Sequence, residues 1–137
     1  MPTSTLPEGY ADLLDRPLFA HLATVRPDGG PQSSVMWFVW DGEVLRFTHT
    51  STRQKYRNIT REPRVAVSIA DPADPYRYLE IRGVVEAIDA DDAQASFYRS
   101  LQERYGNVYE ITDADVRVIL TVRPQVFTAV GGGSVVE

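Results

Sequence analysis

QSSVMWFVWDGEVLRFTHT, residues 32–50, contains two apolar segments on either side of Asp41 and Gly42. An Asp-Gly pair adopts the backbone angles of a tight turn at little cost, so this stretch predicts a β-hairpin. The first arm, residues 34–40, is apolar at nearly every position instead of at alternate positions. In a small barrel only one face of a strand fills the interior. We therefore expect the outer face of this arm to be covered, and a second copy of the chain would cover it.

Further strands are predicted on both sides of this hairpin. The segments 21–25, 64–70 and 78–88 have the composition of strands, and residues 116–130 supply more strand material. A short helix is predicted before Pro17, and a longer amphipathic helix before Gly106. An antiparallel barrel is the natural closure for about six such strands, because it leaves no exposed sheet edge. The expected fold is mainly β, with six antiparallel strands and two or three peripheral helices in one domain spanning residues 1–137.

Composition limits the classes of function. The chain has 137 residues, 43% of them hydrophobic, and no cysteine, which excludes disulfides, thiol catalysis and zinc–thiolate or iron–sulfur sites. No signal-peptide pattern and no apolar run of about 18 residues is visible, so we expect a cytoplasmic protein without a membrane partner. A net charge of -5 also argues against nucleic acid as a partner.

The segment after the hairpin is basic despite this acidic balance. Residues 53–64 contain four arginines and Lys55, which is the only lysine in the chain. Ser51 and Gln54 match the capping-box pattern S/T-x-x-E/Q, which predicts a helix that begins near Thr52. Basic side chains at the start of a helix oppose its dipole unless an anion lies between them, so the pattern favours an anion site. The alternative is a solvated helix whose arginines pair with nearby carboxylates.

Three segments carry a resemblance to a known family. They are ATVRPDGGPQSSVMWFVWDG (23–42), STRQKYRNITREPRVAVSI (51–69) and DPYRYLEIRG (74–83). Together they resemble the pyridoxamine 5'-phosphate oxidase-like split β-barrel proteins, which bind FMN or deazaflavin, and most of all the branch that uses the deazaflavin coenzyme F420. The resemblance implies a six-stranded split barrel that forms a homodimer, with two cofactor sites at the subunit interface.

The resemblance also implies which residues bind the cofactor. Its phosphate would be held by the end of a strand and the start of the basic helix, and Arg57 would approach the oligoglutamate tail of F420. The ring would lie along the strand after the first turn, and an aromatic segment from the other subunit would border the ring or tail. The phosphate residues are Thr48, Thr50, Ser51, Arg53 and Lys55; the ring residues are Ser33, Ser34, Val35 and Met36; the aromatic segment is Tyr76, Arg77 and Tyr78.

The implied activity is hydride transfer from reduced F420 to an electron-poor small organic acceptor, such as an activated alkene, imine or quinone. Because the cofactor carries this chemistry, we expect no catalytic side chain. We also expect no metal site: Asp89, Asp91 and Asp92 are interpreted as helix-start residues, and both histidines as packed or solvated. Two alternatives remain, which are an FMN-dependent oxidoreductase of the same fold and a non-catalytic flavin- or F420-binding protein.

Overall fold

The computed structural model describes residues 2–131, so the predicted domain limits at residues 1 and 137 lie outside the described part. Its strands and helices follow one another in this order: β1 (Pro2–Thr3), α1 (Ala11–Asp15), β2 (Ala20–Val25), β3 (Pro31–Met36), β4 (Phe38–Trp40), β5 (Leu45–Thr50), α2 (Gln54–Arg61), β6 (Arg64–Asp71), β7 (Asp74–Ala90), α3 (Ser96–Arg104), a 3-10 turn (Ala114–Val116) and β8 (Arg117–Val130). Across residues 2–131, no helix has both the length and the apolar character that crossing a membrane requires.

All the strand pairs are antiparallel, and the sheet curls into a barrel. The strand order is β3-β2-β6-β7-β8-β5-β4, with β1 added beside β8. The two end strands of this order, β3 and β4, are joined in the chain by the single residue Trp37. A sheet whose opposite edges are one residue apart must close on itself, which confirms the predicted mainly β barrel. Leu22, Phe47, Ile81 and Leu120 are among the side chains that fill its interior without exposure.

Residues 2–131 form eight strands instead of the six predicted. One extra strand is β1, and the other arises because the apolar arm of the hairpin divides at Trp37 into β3 and β4. The division has a clear cause. The Phe38 backbone N–H donates to the Tyr105 hydroxyl at 3.0 Å, and that hydroxyl donates to the carbonyl of Leu18 at 2.6 Å. A backbone group bonded to a distant side chain cannot extend the β3 ladder.

Strands β7 and β8 make the longest pairing of the sheet and approach closely at Gly83. The register shifts between Arg82 and Gly83, where Gly83 lies opposite Pro124. A Cβ atom added at Gly83 would lie 2.3 Å from the carbonyl oxygen of Arg123. Only glycine fits this position, which is how a proline is accommodated within a central strand.

Candidate functional site

Helix α2, which carries the basic segment, is fixed against strands β2 and β3. Asn58 is fully buried, and its Nδ2 donates to Thr24 Oγ1 at 2.9 Å and to Gln32 Oε1 at 3.1 Å. Ile59 is 2% exposed and packs into the core. These contacts hold the helix so that its first turn follows directly from the end of β5, because only residues 51–53 separate the two elements.

The capping-box prediction is wrong. α2 begins at Gln54 with Arg53 as its N-cap, and no side chain caps the first turn. The Gln54 amide is instead used within the helix, since Nε2 donates to Asn58 Oδ1 at 2.8 Å and Oε1 accepts from Arg57 Nη2 at 2.8 Å. It therefore does not reach back to Ser51. The first backbone N–H groups of α2 lack a side-chain partner, and such groups attract anions.

Lys55 is a buried cation without a counter-charge. The residue is 6% exposed, and its Nζ lies 2.8 Å from Met36 Sδ, a weak acceptor. Burial, with repulsion from Arg53, lowers the Lys55 pKa to about 8. Within residues 2–131 no carboxylate forms a salt bridge with either Lys55 or Arg53. Because a buried charge is costly unless it is paired, this arrangement indicates that an anion completes the site.

His49 adds a second unpaired polar group beside this cation. It is 6% exposed, and its Nε2 has no hydrogen-bond partner in the described part of the chain. Burial, together with repulsion from the charges of Lys55, Arg53 and Arg117, lowers the His49 pKa to about 3. The imidazole is therefore neutral at physiological pH. It is a packed histidine, as predicted, and the local field on it is strongly positive.

A cavity of about 200 Å³ is lined in part by Met36, the residue whose Sδ contacts Lys55. The side chains around it come from β3, β5, α3, β8 and the loop before the 3-10 turn; they are Val35, Met36, Trp37, Thr48, Tyr98, Tyr109 and Arg117. Arg117 organises one side. It pairs with Asp113 at 3.0 Å, its Nη1 lies 3.4 Å from Thr48 Oγ1, and its guanidinium lies 3.5 Å from the Tyr98 ring centroid. The cavity thus has an apolar strand, a hydroxyl-rich side and a cation.

The structure brings several of the predicted cofactor residues together. Val35, Met36 and Thr48 line the cavity, and Lys55 contacts it through Met36. Others do not line the cavity but belong to β3, the end of β5 and the segment before α2. They are Ser33, which is exposed; Ser34, whose buried Oγ has no partner among the described residues; Thr50, which is buried and accepts from Thr52 at 3.4 Å; Ser51, which is half-buried; and Arg53, which is exposed.

The other predicted residues have different surroundings. Arg57 is exposed and donates to Gln54. Tyr76, Arg77 and Tyr78 lie at the start of β7, and none of them lines the cavity of its own chain. Arg77 is engaged within its chain, pairing with Asp12 at 2.6 Å and Asp71 at 3.1 Å and donating to the Gly9 carbonyl at 2.7 Å.

Four residues of the cavity were not predicted: Trp37, Tyr98, Tyr109 and Arg117. Trp37 is held in place from behind by Tyr105, whose ring stacks on it with a centroid distance of 5.0 Å. Tyr98 and Tyr109 come from a helix and a loop far along the chain. No sequence pattern connects them to β3, because only the closure of the barrel brings them there.

Comparison with known proteins identifies the family. A family profile described as pyridoxamine 5'-phosphate oxidase matches residues 6–131. The chain belongs to the pyridoxamine 5'-phosphate oxidase family. A solved structure named F420 reductase is 58% identical over 90% of this chain and 98% of its own, with a TM-score of 0.87. This similarity supports the predicted branch of the family.

Solved structures of lower sequence identity have the same fold. A conserved hypothetical protein from Mycobacterium tuberculosis is 27% identical over 93% of this chain and 87% of its own, with a TM-score of 0.71. General Stress Protein 26 from Bacillus anthracis is 21% identical over 89% of this chain and 91% of its own, with a TM-score of 0.68. The curated proteins contain no match to this chain.

The residues present fit a phosphate-bearing cofactor of this family. Lys55 offers a buried positive charge, Arg53 an unpaired guanidinium, and the start of α2 free backbone donors. Ser34 Oγ and His49 Nε2 are buried polar atoms without a partner in residues 2–131. Such orphaned groups are rare in a completed structure. A bound phosphate would supply the counter-charge that Lys55 and Arg53 lack within residues 2–131.

Proposed function

We propose that this chain is an F420H2-dependent oxidoreductase that transfers a hydride to an electron-poor small organic acceptor. One observation carries the proposal: Lys55 is a buried ammonium group that no acid of residues 2–131 neutralises, and its Nζ contacts Met36, which lines the cavity. The choice of F420 as the cofactor is supported by the 58% identity to the structure named F420 reductase.

In this proposal each predicted residue keeps a role. Lys55 and Arg53 would neutralise the phosphate, with hydroxyls from Thr48, Thr50 and Ser51 as further donors. The strand from Ser33 to Met36 would lie along the ring. Arg57 would approach the anionic tail, provided that it exchanges its contact with Gln54.

A homodimer with cofactor sites at the interface is part of the proposal. Val35 is 59% exposed and Tyr76 is 69% exposed, which is unusual for large apolar side chains unless another surface covers them. Tyr76, Arg77 and Tyr78 would then border the site of the partner subunit. We further propose a single-domain, cytoplasmic protein with a small-molecule substrate and neither nucleic acid nor membrane as a partner.

The protein's own contribution to the reaction is binding and orientation. Bound F420H2 would supply the hydride. Met36 and Trp37 give the cavity an apolar wall, which would leave less room for water beside a bound ring. The stacked Tyr105 keeps the Trp37 ring in one orientation. Fixed geometry of this kind converts an encounter in solution into a reaction between neighbours. The two alternative functions would use the same phosphate site. An FMN-dependent oxidoreductase would lack the contact with the oligoglutamate tail, and a non-catalytic binding protein would show no turnover.

The test is a fluorescence titration of the cofactor-free protein with F420 and with FMN. For the double variant Arg53→Ala/Lys55→Ala we expect F420 affinity to fall about 100-fold, because two charge-assisted contacts of about 1.5 kcal/mol each are lost. Arg64→Ala is the matched control, since Arg64 belongs to the same segment but pairs with Glu62 at 2.7 Å. Unchanged affinity in the double variant would refute the site. Tighter binding of FMN than of F420 would assign the chain to FMN-dependent chemistry.

A further inference from the structure

Two tyrosine hydroxyls meet at the wall of the cavity. Tyr98 lies on α3 and is 5% exposed, whereas Tyr109 lies on the following loop and is 47% exposed. Their hydroxyl groups are hydrogen-bonded to each other, and their rings meet edge to face with centroids 6.2 Å apart. Both residues line the cavity together with Val35, Met36 and Trp37 of the hairpin arm. The two tyrosines therefore line the same cavity as β3, the strand proposed to lie along the cofactor ring.

The buried member of the pair is held in its neutral form. Burial raises the Tyr98 pKa above its ordinary value of 10, and the hydrogen bond with Tyr109 raises it further. The Arg117 guanidinium on the Tyr98 ring acts in the opposite direction and stabilises negative charge at this place. Tyr98 thus keeps its phenolic proton at neutral pH, and the cation on its ring stabilises negative charge that develops at the pair.

Among the residues that line the cavity, no other group is suited to give up a proton; Lys55 is not one of them, and its charge is assigned to the cofactor phosphate. Arg117 keeps its protons at any physiological pH, and it is already paired with Asp113. The Thr48 hydroxyl is a much weaker acid than a phenol and lies 3.4 Å from Arg117 Nη1. Tyr109 combines an acidic hydroxyl with exposure, so water can restore its proton after each turnover.

We propose that Tyr109, supported by Tyr98, is the proton donor to the acceptor bound in this cavity. The inference rests on the proposed hydride transfer and adds a residue to it. A hydride brings two electrons and one proton equivalent to the electron-poor carbon, which leaves negative charge on the acceptor. The O–H bond of Tyr109 then breaks, its proton bonds to the charged acceptor atom, and the electron pair stays on the phenolate oxygen. The Tyr98 hydroxyl donates to that phenolate until water reprotonates it.

Two acceptors separate proton donation from positioning. 2-Cyclohexen-1-one requires a hydride and a proton, whereas the N-methylacridinium cation becomes neutral on accepting a hydride alone. For Tyr109→Phe we expect kcat/KM with cyclohexenone to fall about 100-fold, the low end for loss of general acid catalysis, and the rate with N-methylacridinium to stay within twofold. Tyr98→Phe should cause a smaller, about tenfold loss with cyclohexenone. Tyr10→Phe, which removes a phenol hydroxyl outside the cavity, is the control.

A second measurement does not depend on turnover. In the cofactor-free protein, tyrosinate absorbance at high pH sums over seven tyrosines, so the ionisation of Tyr98 is obtained as the difference between a protein and the same protein carrying Tyr98→Phe. In the Tyr109→Phe background this difference should move to lower pH, because the hydrogen bond that raises the Tyr98 pKa is lost. An equal fall in rate with both acceptors, or an unchanged tyrosinate titration, would overturn the donor role of Tyr109. Failure of the wild-type protein to oxidise F420H2 with either acceptor would instead refute the proposed function, and the donor role with it.

Discussion

Replacing Lys55 with methionine should stabilise the cofactor-free protein and weaken cofactor binding at the same time. Methionine has nearly the length of lysine, so it fills the same space beside Met36 without a charge. In the folded protein the Lys55 pKa is about 8, whereas its ordinary value is 10.5. A difference of 2.5 corresponds to an upper limit of about 3 kcal/mol against the folded state. Solvent near the exposed Arg53 screens part of this, which leaves about 1–3 kcal/mol.

The pH dependence follows from the direction of the pKa change. Below about pH 8 the lysine is charged in both the folded and the unfolded state, so the full penalty is present. Between about pH 8 and 10.5 the unfolded state binds more protons than the folded state, so wild-type stability rises relative to the variant. Above that range the lysine is neutral in both states. The advantage of Lys55→Met should therefore be present at pH 7 and absent at pH 10.5.

Urea unfolding of the two cofactor-free proteins at both pH values measures this difference. Arg64→Met is the control, because it removes a paired charge from the surface end of the same segment and should change the free energy of unfolding by less than about 0.5 kcal/mol. F420 titration completes the comparison, with an expected loss of tenfold or more for Lys55→Met. A Lys55→Met variant that is less stable than wild type at pH 7, or an advantage that persists at pH 10.5, would refute the reasoning.

Three other substitutions test separate parts of the structure. The pKa of His49 is about 3 in the folded protein, whereas its ordinary value is 6.5. As the pH falls below 6.5 the unfolded state binds a proton that the folded state does not, so the wild-type protein loses stability. After a discount for screening, the free energy of unfolding of His49→Gln should fall by about 2 kcal/mol less than that of wild type between pH 7 and pH 4. The exposed His21→Gln serves as its control in acid unfolding, and parallel curves for wild type and His49→Gln would contradict the prediction. Gly83→Ala places a Cβ atom 2.3 Å from the carbonyl oxygen of Arg123 and should cost about 3 kcal/mol in urea unfolding; a change below about 0.5 kcal/mol would show that the strands can separate. Tyr105→Phe removes a hydroxyl with backbone partners at 2.6 and 3.0 Å and should lower the free energy of unfolding by about 1–3 kcal/mol, whereas an unchanged melting temperature would mean that these bonds contribute nothing net.

Features that depend on neighbouring residues could be predicted from the sequence. The hairpin at Asp41 forms because its carboxylate accepts from the backbone N–H groups of Glu43 and Val44, both at 2.8 Å, while Gly42 takes φ +95. Asp91 and Asp92 likewise start α3 by accepting from its first N–H groups, as predicted. The same prediction was wrong for Asp89, which lies in β7 opposite Ile119. In each case the turn chemistry is complete within a few residues, so no tertiary information is needed.

Features that depend on residues far apart in the sequence could not be predicted from it. The break at Trp37 results from Tyr105, and the cavity wall includes Tyr109, both far along the chain. The predicted start of α2 near Thr52 differs from the observed start at Gln54 for a related reason. The pattern of Ser51 and Gln54 is that of a capping box, but Gln54 finds Asn58 instead, and Asn58 is fixed by strands β2 and β3. A competing partner of that kind is invisible until the strands are assembled.

The position of β8 also bears on the order in which the protein folds. β8 is paired with β7 on one side and β5 on the other, and it is the only strand that joins the β3-β2-β6-β7 group to the β5-β4 group in the sheet order of residues 2–131. Residues 48–50, at the proposed phosphate site, therefore have no strand partner until residues 117–119 are available. Pairing over such long sequence separations is slow. A newly synthesised chain should consequently acquire its cofactor site late, and the exposed edges of β5 and β7 would be its most aggregation-prone surfaces while it waits.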